Sequence, residues 1–257
     1  YEGDRMKLSA KIPVTTMKNV ISILEKVSQE AIFTFNSEGL RVKTVCANRF
    51  KLIDLWVKDT AFKNYECEDE IKLGIVVERI KDITKTLTAK DELSILYEDG
   101  KFSLVSNGIR RVVKLLRLEY MNEVKELPDF EYTFSLETSS KEVRDFLKTL
   151  GKTVAFDSII RKDGAGMEIV WRSKNDEEPV EWNPDLASKD EDDKLIRTST
   201  FGSVSSTCYT TEEVLSSVGG TQRSQSLVVQ GGQDIPLRFD WEPYEGVRVI
   251  SLVANRM

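Results

Sequence analysis

The sequence predicts an α+β protein of two similar domains, each with two helices packed on antiparallel sheets. Three observations carry this reading. The chain has 257 residues, enough for two domains that each bury a core of their own. A plan of strand, helix and several strands runs along it twice. The first helices of the two halves begin near Thr15 and Ser139 and the second near Val76 and Thr210, separations of about 124 and 134 residues. A repeat of that length is a duplicated domain and not a solenoid unit.

Lys7–Ile12 alternates as a strand does, and Pro13 ends it. Thr15 or Thr16 can cap the first helix, where Met17, Val20, Ile21, Leu24 and Val27 recur at helical spacing. Ala31–Asn36, Leu40–Cys46 and Phe50–Val57 are alternating runs, the first two joined by a tight turn at Ser37-Glu38-Gly39. A second helix spans Val76–Leu87, with Val76, Ile80, Ile83 and Leu87 on one face. Strands Leu93–Glu98 and Lys101–Ser106 flank the hairpin signal Asp99-Gly100, and Gly108–Leu118 follows as a third strand.

Glu119–Glu131 has no clean period, contains Leu127-Pro128 and reads as a surface linker. The plan then restarts with strand Tyr132–Glu137, helix Ser139–Leu150, and strands Thr153–Arg161 and Gly166–Arg172. A shorter helix at Thr210–Ser217 and strands Ser226–Gln230, Pro236–Trp241 and Val247–Ala254 close the chain. The organisation read from these elements is a domain at 6–118, a linker at 119–131 and a second domain at 132–257. Residues 1–5 read as a short leader or an expression remnant, and the acidic stretch Ser173–Lys194 as a loop system around one short strand.

Composition excludes several classes of function. Apolar residues make up 40% and charged residues 31%, the balance of a globular protein. No run of eighteen apolar residues predicts a membrane span, and no secretory signal is visible. Cys46, Cys67 and Cys208 match no zinc spacing and read as reduced thiols of an intracellular protein. Histidine is missing altogether, which removes Ser-His-Asp and Cys-His pairs and imidazole acid–base chemistry. The acidic cluster Asp190–Asp193 is the one candidate for carboxylate catalysis, and consecutive charges in a loop are ordinarily solvated. Asp163-Gly164-Ala165-Gly166 lacks the lysine and spacing of a P-loop and reads as a hairpin turn, so neither an ATP site nor any other cofactor or metal is expected.

The net charge of −6 argues against simple coating of nucleic acid. The charge is nevertheless segregated. The helical windows 15–30, 77–90, 139–152 and 210–223 carry 0, +2, +2 and −1, a total of +3 that leaves −9 for the remainder. On the third helix Val143, Phe146, Leu147 and Leu150 form the apolar stripe, and Lys141, Arg144, Lys148 and Lys152 form a row opposite, with Glu142 and Asp145 between the two. The first helix places Lys18 and Lys26 away from its apolar face, and the second places Arg79, Lys81 and Lys85 there. The fourth is acidic at Glu212 and Glu213, with Arg223 shortly after. Basic helices without an aromatic ladder suit contact with a phosphate backbone and not base reading.

Met17-Lys18-Asn19-Val20-Ile21, Gly39-Leu40, Phe62-Lys63-Asn64-Tyr65-Glu66-Cys67, Leu73-Gly74-Ile75, Leu127-Pro128, Pro236-Leu237 and Leu252-Val253-Ala254 stand in a characteristic order. In that order and spacing the chain resembles the DNA sliding clamps of the PCNA family of archaea and eukaryotes. The resemblance implies a non-catalytic processivity factor, a toroid of six domains from three chains, with helices lining a hole that holds duplex DNA. It also implies a pocket beside the linker, here Val45, Leu127, Pro128, Pro236, Leu252 and Val253, that takes short peptide motifs of DNA polymerase, ligase, flap nuclease and clamp loader. Ring closure would pair the basic run Arg110, Arg111 and Lys114 with the acidic one at Glu177, Glu178 and Glu181.

The implied location is intracellular: cytoplasm or nucleoid in an archaeon, nucleus in a eukaryote. At three points the chain departs from the family pattern. Ala254-Asn255 replaces the usual Ala-Pro, the fourth helix is short and followed by Gly219-Gly220, and Pro184 shortens the interface strand. Homotrimer and heterotrimer stay open at this point, as do a damage-checkpoint clamp of the same shape and a protein-interaction scaffold that does not touch DNA.

Overall fold

The structure is a computed structural model that describes residues 7–124, 126–164, 166–175, 177–184 and 200–256. The chain divides into two compact units. The first draws its described residues from Tyr1–Ala47, Leu52–Leu127 and Glu242–Val249, and the second from Asn48–Lys51, Pro128–Trp241 and Ile250–Met257. The stretch read as a linker is thus shared, 119–127 going to one unit and 128–131 to the other.

In the first unit β1 (Leu8–Pro13) runs without a loop into α1 (Val14–Leu24). β2 (Glu30–Asn36), β3 (Gly39–Val45), β4 (Lys51–Lys58), β5 (Asn64–Cys67) and β6 (Ile71–Val76) follow, and β6 leads directly into α2 (Val77–Thr84). β7 (Glu92–Glu98), β8 (Lys101–Ser106) and β9 (Ile109–Val113) complete it. One antiparallel sheet has the order β5-β1-β7-β8-β9, and a second array runs β4-β3-β2-β6. Alternation along β2, β3 and β4 sends Phe33, Phe35, Leu40, Val42, Ile53, Leu55 and Val57 inward, and all are fully buried.

The second unit repeats the plan. β10 (Phe134–Ser139) enters α3 (Ser140–Thr149), and β11 (Ala155–Asp163) and β12 (Gly166–Ser173) form the long hairpin expected at Asp163–Gly166. After β13 (Glu181–Trp182), β14 (Thr200–Phe201) and β15 (Ser205–Thr210), α4 (Thr211–Ser217) begins directly. β16 (Ser226–Gly231), β17 (Leu237–Tyr244) and β18 (Val247–Val253) end the chain. Here the sheets are β13-β12-β11-β15 and β14-β10-β16-β17.

Each of α1 to α4 begins at the residue that follows a strand, which decides how its first N–H group is satisfied. Val14 donates to the Asp91 carbonyl (3.2 Å), Val77 to Gln29 (2.9 Å), Ser140 to Gln225 (2.8 Å) and Thr211 to Val154 (2.9 Å). A loop carbonyl thus does the work of a capping side chain. Thr15 and Thr16 are consequently not caps: the residue before α1 is Pro13, and both threonines lie inside the helix. Only α3 adds the side-chain version, a capping box between Ser139 and Glu142.

Two more expectations are corrected. The second helix spans Val77–Thr84 and not Val76–Leu87; Val76 and the preceding Leu73-Gly74-Ile75 belong to β6, which pairs with β2 along its whole length. The third strand is shorter than Gly108–Leu118, so Lys114 and Arg117 lie beyond it. The reason is Leu116, whose N–H turns instead to the Gly74 carbonyl at 2.8 Å.

That contact depends on glycine. A Cβ on Gly74 would stand 2.6 Å from Met121 Sδ and 2.8 Å from the Leu116 carbonyl oxygen. Gly74→Ala should therefore lift 116–121 off β6 and cost about 1–3 kcal/mol. Urea denaturation and the rate of proteolytic nicking near Met121 measure both effects. Unchanged stability with unchanged nicking would mean that the close approach is not needed.

Candidate nucleic-acid interface and peptide groove

α3 carries the basic row, and its core face fixes where that row points. Val143, Phe146 and Leu147 are buried, which leaves Lys141 and Lys148 exposed and Arg144 half-buried. The row is not free of anions, as the helical wheel alone implies. Asp145 takes Lys141 one turn away at 3.2 Å and Arg223 at 3.0 Å. Its carboxyl is held below the ordinary carboxylate range by the hydrogen bond from Lys141 first; desolvation opposes this, and the charge of Arg223 adds to it. Arg144 donates to the Thr221 carbonyl at 2.9 Å. Lys148 is exposed and makes no ion pair among the described residues. Lys152 lies past Gly151, whose φ of +58° ends the helix, and lines a cavity with Lys174 and Arg256.

The cations of the first unit are also largely engaged. Lys18 Nζ donates to the Leu87 carbonyl at 2.6 Å, and Arg79 to the Lys114 carbonyl at 2.9 Å. Lys81 pairs with Glu25 at 2.6 Å and Lys85 with Asp82 at 2.7 Å. Lys26 is exposed just beyond α1. On α4, Glu213 turns to Lys51 at 3.1 Å, and Glu212 stays exposed.

The two charged runs expected at an interface both fall at sheet edges. β9 is the outer strand of its five-stranded sheet, with Arg110 and Arg111 exposed and Ile109 and Val112 59% and 64% accessible. β13 is the outer strand of its four-stranded sheet. Glu181 is already met by Arg172 at 3.5 Å and Arg161 at 3.9 Å. The Glu177 and Glu178 N–H groups both donate to Asn175 Oδ1 in a turn. Asp176 and the cluster Asp190–Asp193 lie outside the described residues.

Of the residues expected in a peptide pocket, Val45 and Leu127 are half-buried in the first unit. In the second, Pro128 is exposed, Pro236 half-buried, Leu252 only 5% accessible and Val253 fully buried. Accessible apolar surface in this unit is found nearby, in a cavity of about 580 Å³ lined by Phe50, Val154, Thr210 and Ala254. Phe50 is 37% and Val154 64% exposed. The chain pattern gives no hint of this cavity, because it gathers residues from four separate segments.

Residues 8–122 match the family described as proliferating cell nuclear antigen, N-terminal domain. DNA polymerase sliding clamp 1 of Thermococcus kodakarensis is 22% identical over 241 residues, covering 93% of this chain and 94% of that protein. The similarity is to the DNA sliding clamps of the PCNA family. The fold is likewise that of solved PCNA structures. The C-terminal region of FEN-1 bound to A. fulgidus PCNA contains a chain that matches at TM-score 0.83 and 16% identity over 97% of this chain and 98% of that one. The PCNA2-PCNA3 complex of Sulfolobus tokodaii matches at TM-score 0.78 and 17% identity over 96% of this chain and 99% of that one.

Asp145 restrains the basic row through Lys141 and Arg223. Because its folded carboxyl titrates below the usual range, both pairs are present through neutral pH and are lost only as pH falls through that depressed value. Asp145→Asn should release Lys141 and Arg223 at neutral pH and tighten binding to a short duplex several-fold at low salt. Lys148→Ala should weaken it and reduce the salt slope by about one. Fluorescence anisotropy over a salt series measures both, and equal affinities for all three proteins would remove α3 from the DNA surface.

Proposed function

We propose that this chain is one of three subunits of a ring that encloses duplex DNA and keeps a polymerase on its template. The observation that carries the reading is the polar face of α3, where Lys141, Arg144 and Lys148 lie opposite a fully committed apolar face. Each exposed cation contributes a weak, screened attraction, and enclosure supplies the retention. Weak contact permits sliding, and no chemistry is required of the chain itself. In this reading the two domains are 6–118 and 132–257, joined by the linker 119–131.

Ring closure would set β9 of one subunit beside β13 of the next. Exposed backbone on both edge strands supports this, as do the exposed Arg110 and Arg111, which make no ion pair among the described residues and would meet an acidic edge. Both Glu177 and Glu178 are exposed and available to them, whereas Glu181 shares Arg161 and Arg172. Polymerase, ligase, flap nuclease and clamp loader would be recruited by short peptides that use the apolar cavity at Phe50 and Val154. The three free cysteines suit an intracellular, reducing compartment.

Two experiments test the proposal. Loaded on a nicked circular duplex by a clamp loader, the protein should stay bound in high salt and leave once the circle is linearised. Equal retention on both forms would replace enclosure with ordinary adhesion. Arg110→Glu with Arg111→Glu should convert a trimer to monomer in analytical ultracentrifugation. An unchanged sedimenting mass would exclude β9 from the contact.

A further inference from the structure

Two cavities of the second unit share a wall. The apolar one at Phe50, Thr210 and Ala254 is joined to a second of about 690 Å³ at Leu150, Lys152, Lys174 and Cys208, and Val154 and Arg256 line both. Together they form one groove with an apolar end and a cationic end. Arg49 stands at the first end, and Lys152, Lys174 and Arg256 at the second. Among the described residues no carboxylate lines either cavity, in a chain whose net charge is −6. Asp157 offsets one of the four cations, meeting Lys174 at 2.8 Å. Lys152 and Arg256 are exposed and make no ion pair among the described residues.

The cations are positioned by backbone contacts on three different segments. Lys152 follows the left-handed Gly151 at the end of α3. The Lys174 N–H donates to the Ala155 carbonyl at 3.0 Å, and the Arg256 N–H to the Cys208 carbonyl at 2.8 Å. Their placement is therefore set by the fold, and a ligand meets them already gathered.

We propose that this groove selects partner peptides carrying acidic residues next to their apolar anchor. The inference rests on the reading that partners dock at the Phe50–Val154 cavity, and it adds the charge of the flank. An apolar side chain fills the end at Phe50 and Ala254. The peptide, extended at about 3.3 Å per residue, then passes over Val154 and brings its next carboxylates to Lys152 and Arg256. A peptide fits better than nucleic acid, because the exposed Phe50 and Val154 give a floor that a phosphate backbone cannot use. Exposed charge pairs are individually weak, so the selection is a preference of about three- to tenfold.

The test uses the C-terminal FEN-1 region solved bound to A. fulgidus PCNA, made as a peptide in three forms extended at either terminus by three Asp, three Ser or three Lys residues. Isothermal titration at low salt should rank Asp above Ser above Lys for one of the termini, with the gap closing in high salt. In K152S/R256S the ratio of Asp to Ser affinities should fall to about one. Equal affinities at both termini, or a preference that survives K152S/R256S, overturns the inference while leaving peptide docking intact. If no form binds, docking at this cavity and the charge selection fall together. Displacement of the Asp-extended peptide by a short duplex, lost in K152S/R256S, assigns the cationic end to nucleic acid and overturns the proposal.

Discussion

The aromatic cluster around Phe146 is the contact on which the second unit depends. Its ring lies 5.8 Å from Phe156, 5.9 Å from Trp171 and 5.8 Å from Trp182, and Phe156 continues to Tyr209 at 6.0 Å. One side chain of α3 thus touches β11, β12 and β13, and through Phe156 reaches β15. Rings of this size bury the largest apolar area available to a single residue, and their edge-to-face geometry adds a directional preference. The helix cannot roll about its axis without breaking that set. Its polar face is therefore aimed by its apolar one, and the direction in which Lys141 and Lys148 point follows from where Phe146 is held.

Given that aim, the sparing use of charge is the informative feature. The protein puts cations on its helices and then ties most of them to neighbours: Lys81 to Glu25, Lys85 to Asp82, and Lys141 and Arg223 to Asp145. A surface evolved to grip a polyanion would leave them free, since each released counterion adds to affinity. A surface that must move along DNA gains from the opposite arrangement. Partial neutralisation lowers the depth of every phosphate contact while keeping the sign of the field, which is the balance a proposed sliding ring requires.

Much of this was legible along the chain and some was not, for one physical reason. Features set by neighbours within about four residues can be read directly. The apolar stripes of α1 and α3 and the hairpins at Asp99-Gly100 and Asp163–Gly166 are of this kind. Features that depend on distant segments cannot. Glu25 and Lys81 are 56 residues apart and Asp145 and Arg223 are 78, so the helical wheel shows a basic row where the fold makes a neutralised one. The strand β6, which runs straight into α2, is defined by its pairing with β2 far upstream and not by a pattern of its own. Thr15 and Thr16 look like caps until Asp91, from a remote loop, supplies the carbonyl. Edge strands fall between the two cases, because charge marks Arg110 and Glu181 locally but only the sheet order makes them edges.

α3 also divides the two kinds of binding proposed for this chain. Along the helix, Lys141 and Lys148 belong to the face proposed for DNA. Two residues past its end, Gly151 adopts a left-handed conformation and redirects the chain, and Lys152 joins Lys174 and Arg256 in the groove. A residue with a Cβ at that φ would be strained, so glycine is what permits so sharp a separation. Four cations that form a continuous row on a helical wheel thereby serve two surfaces. The row is divided by backbone geometry, which lets the charge of the groove vary without altering the charge on the face proposed for DNA.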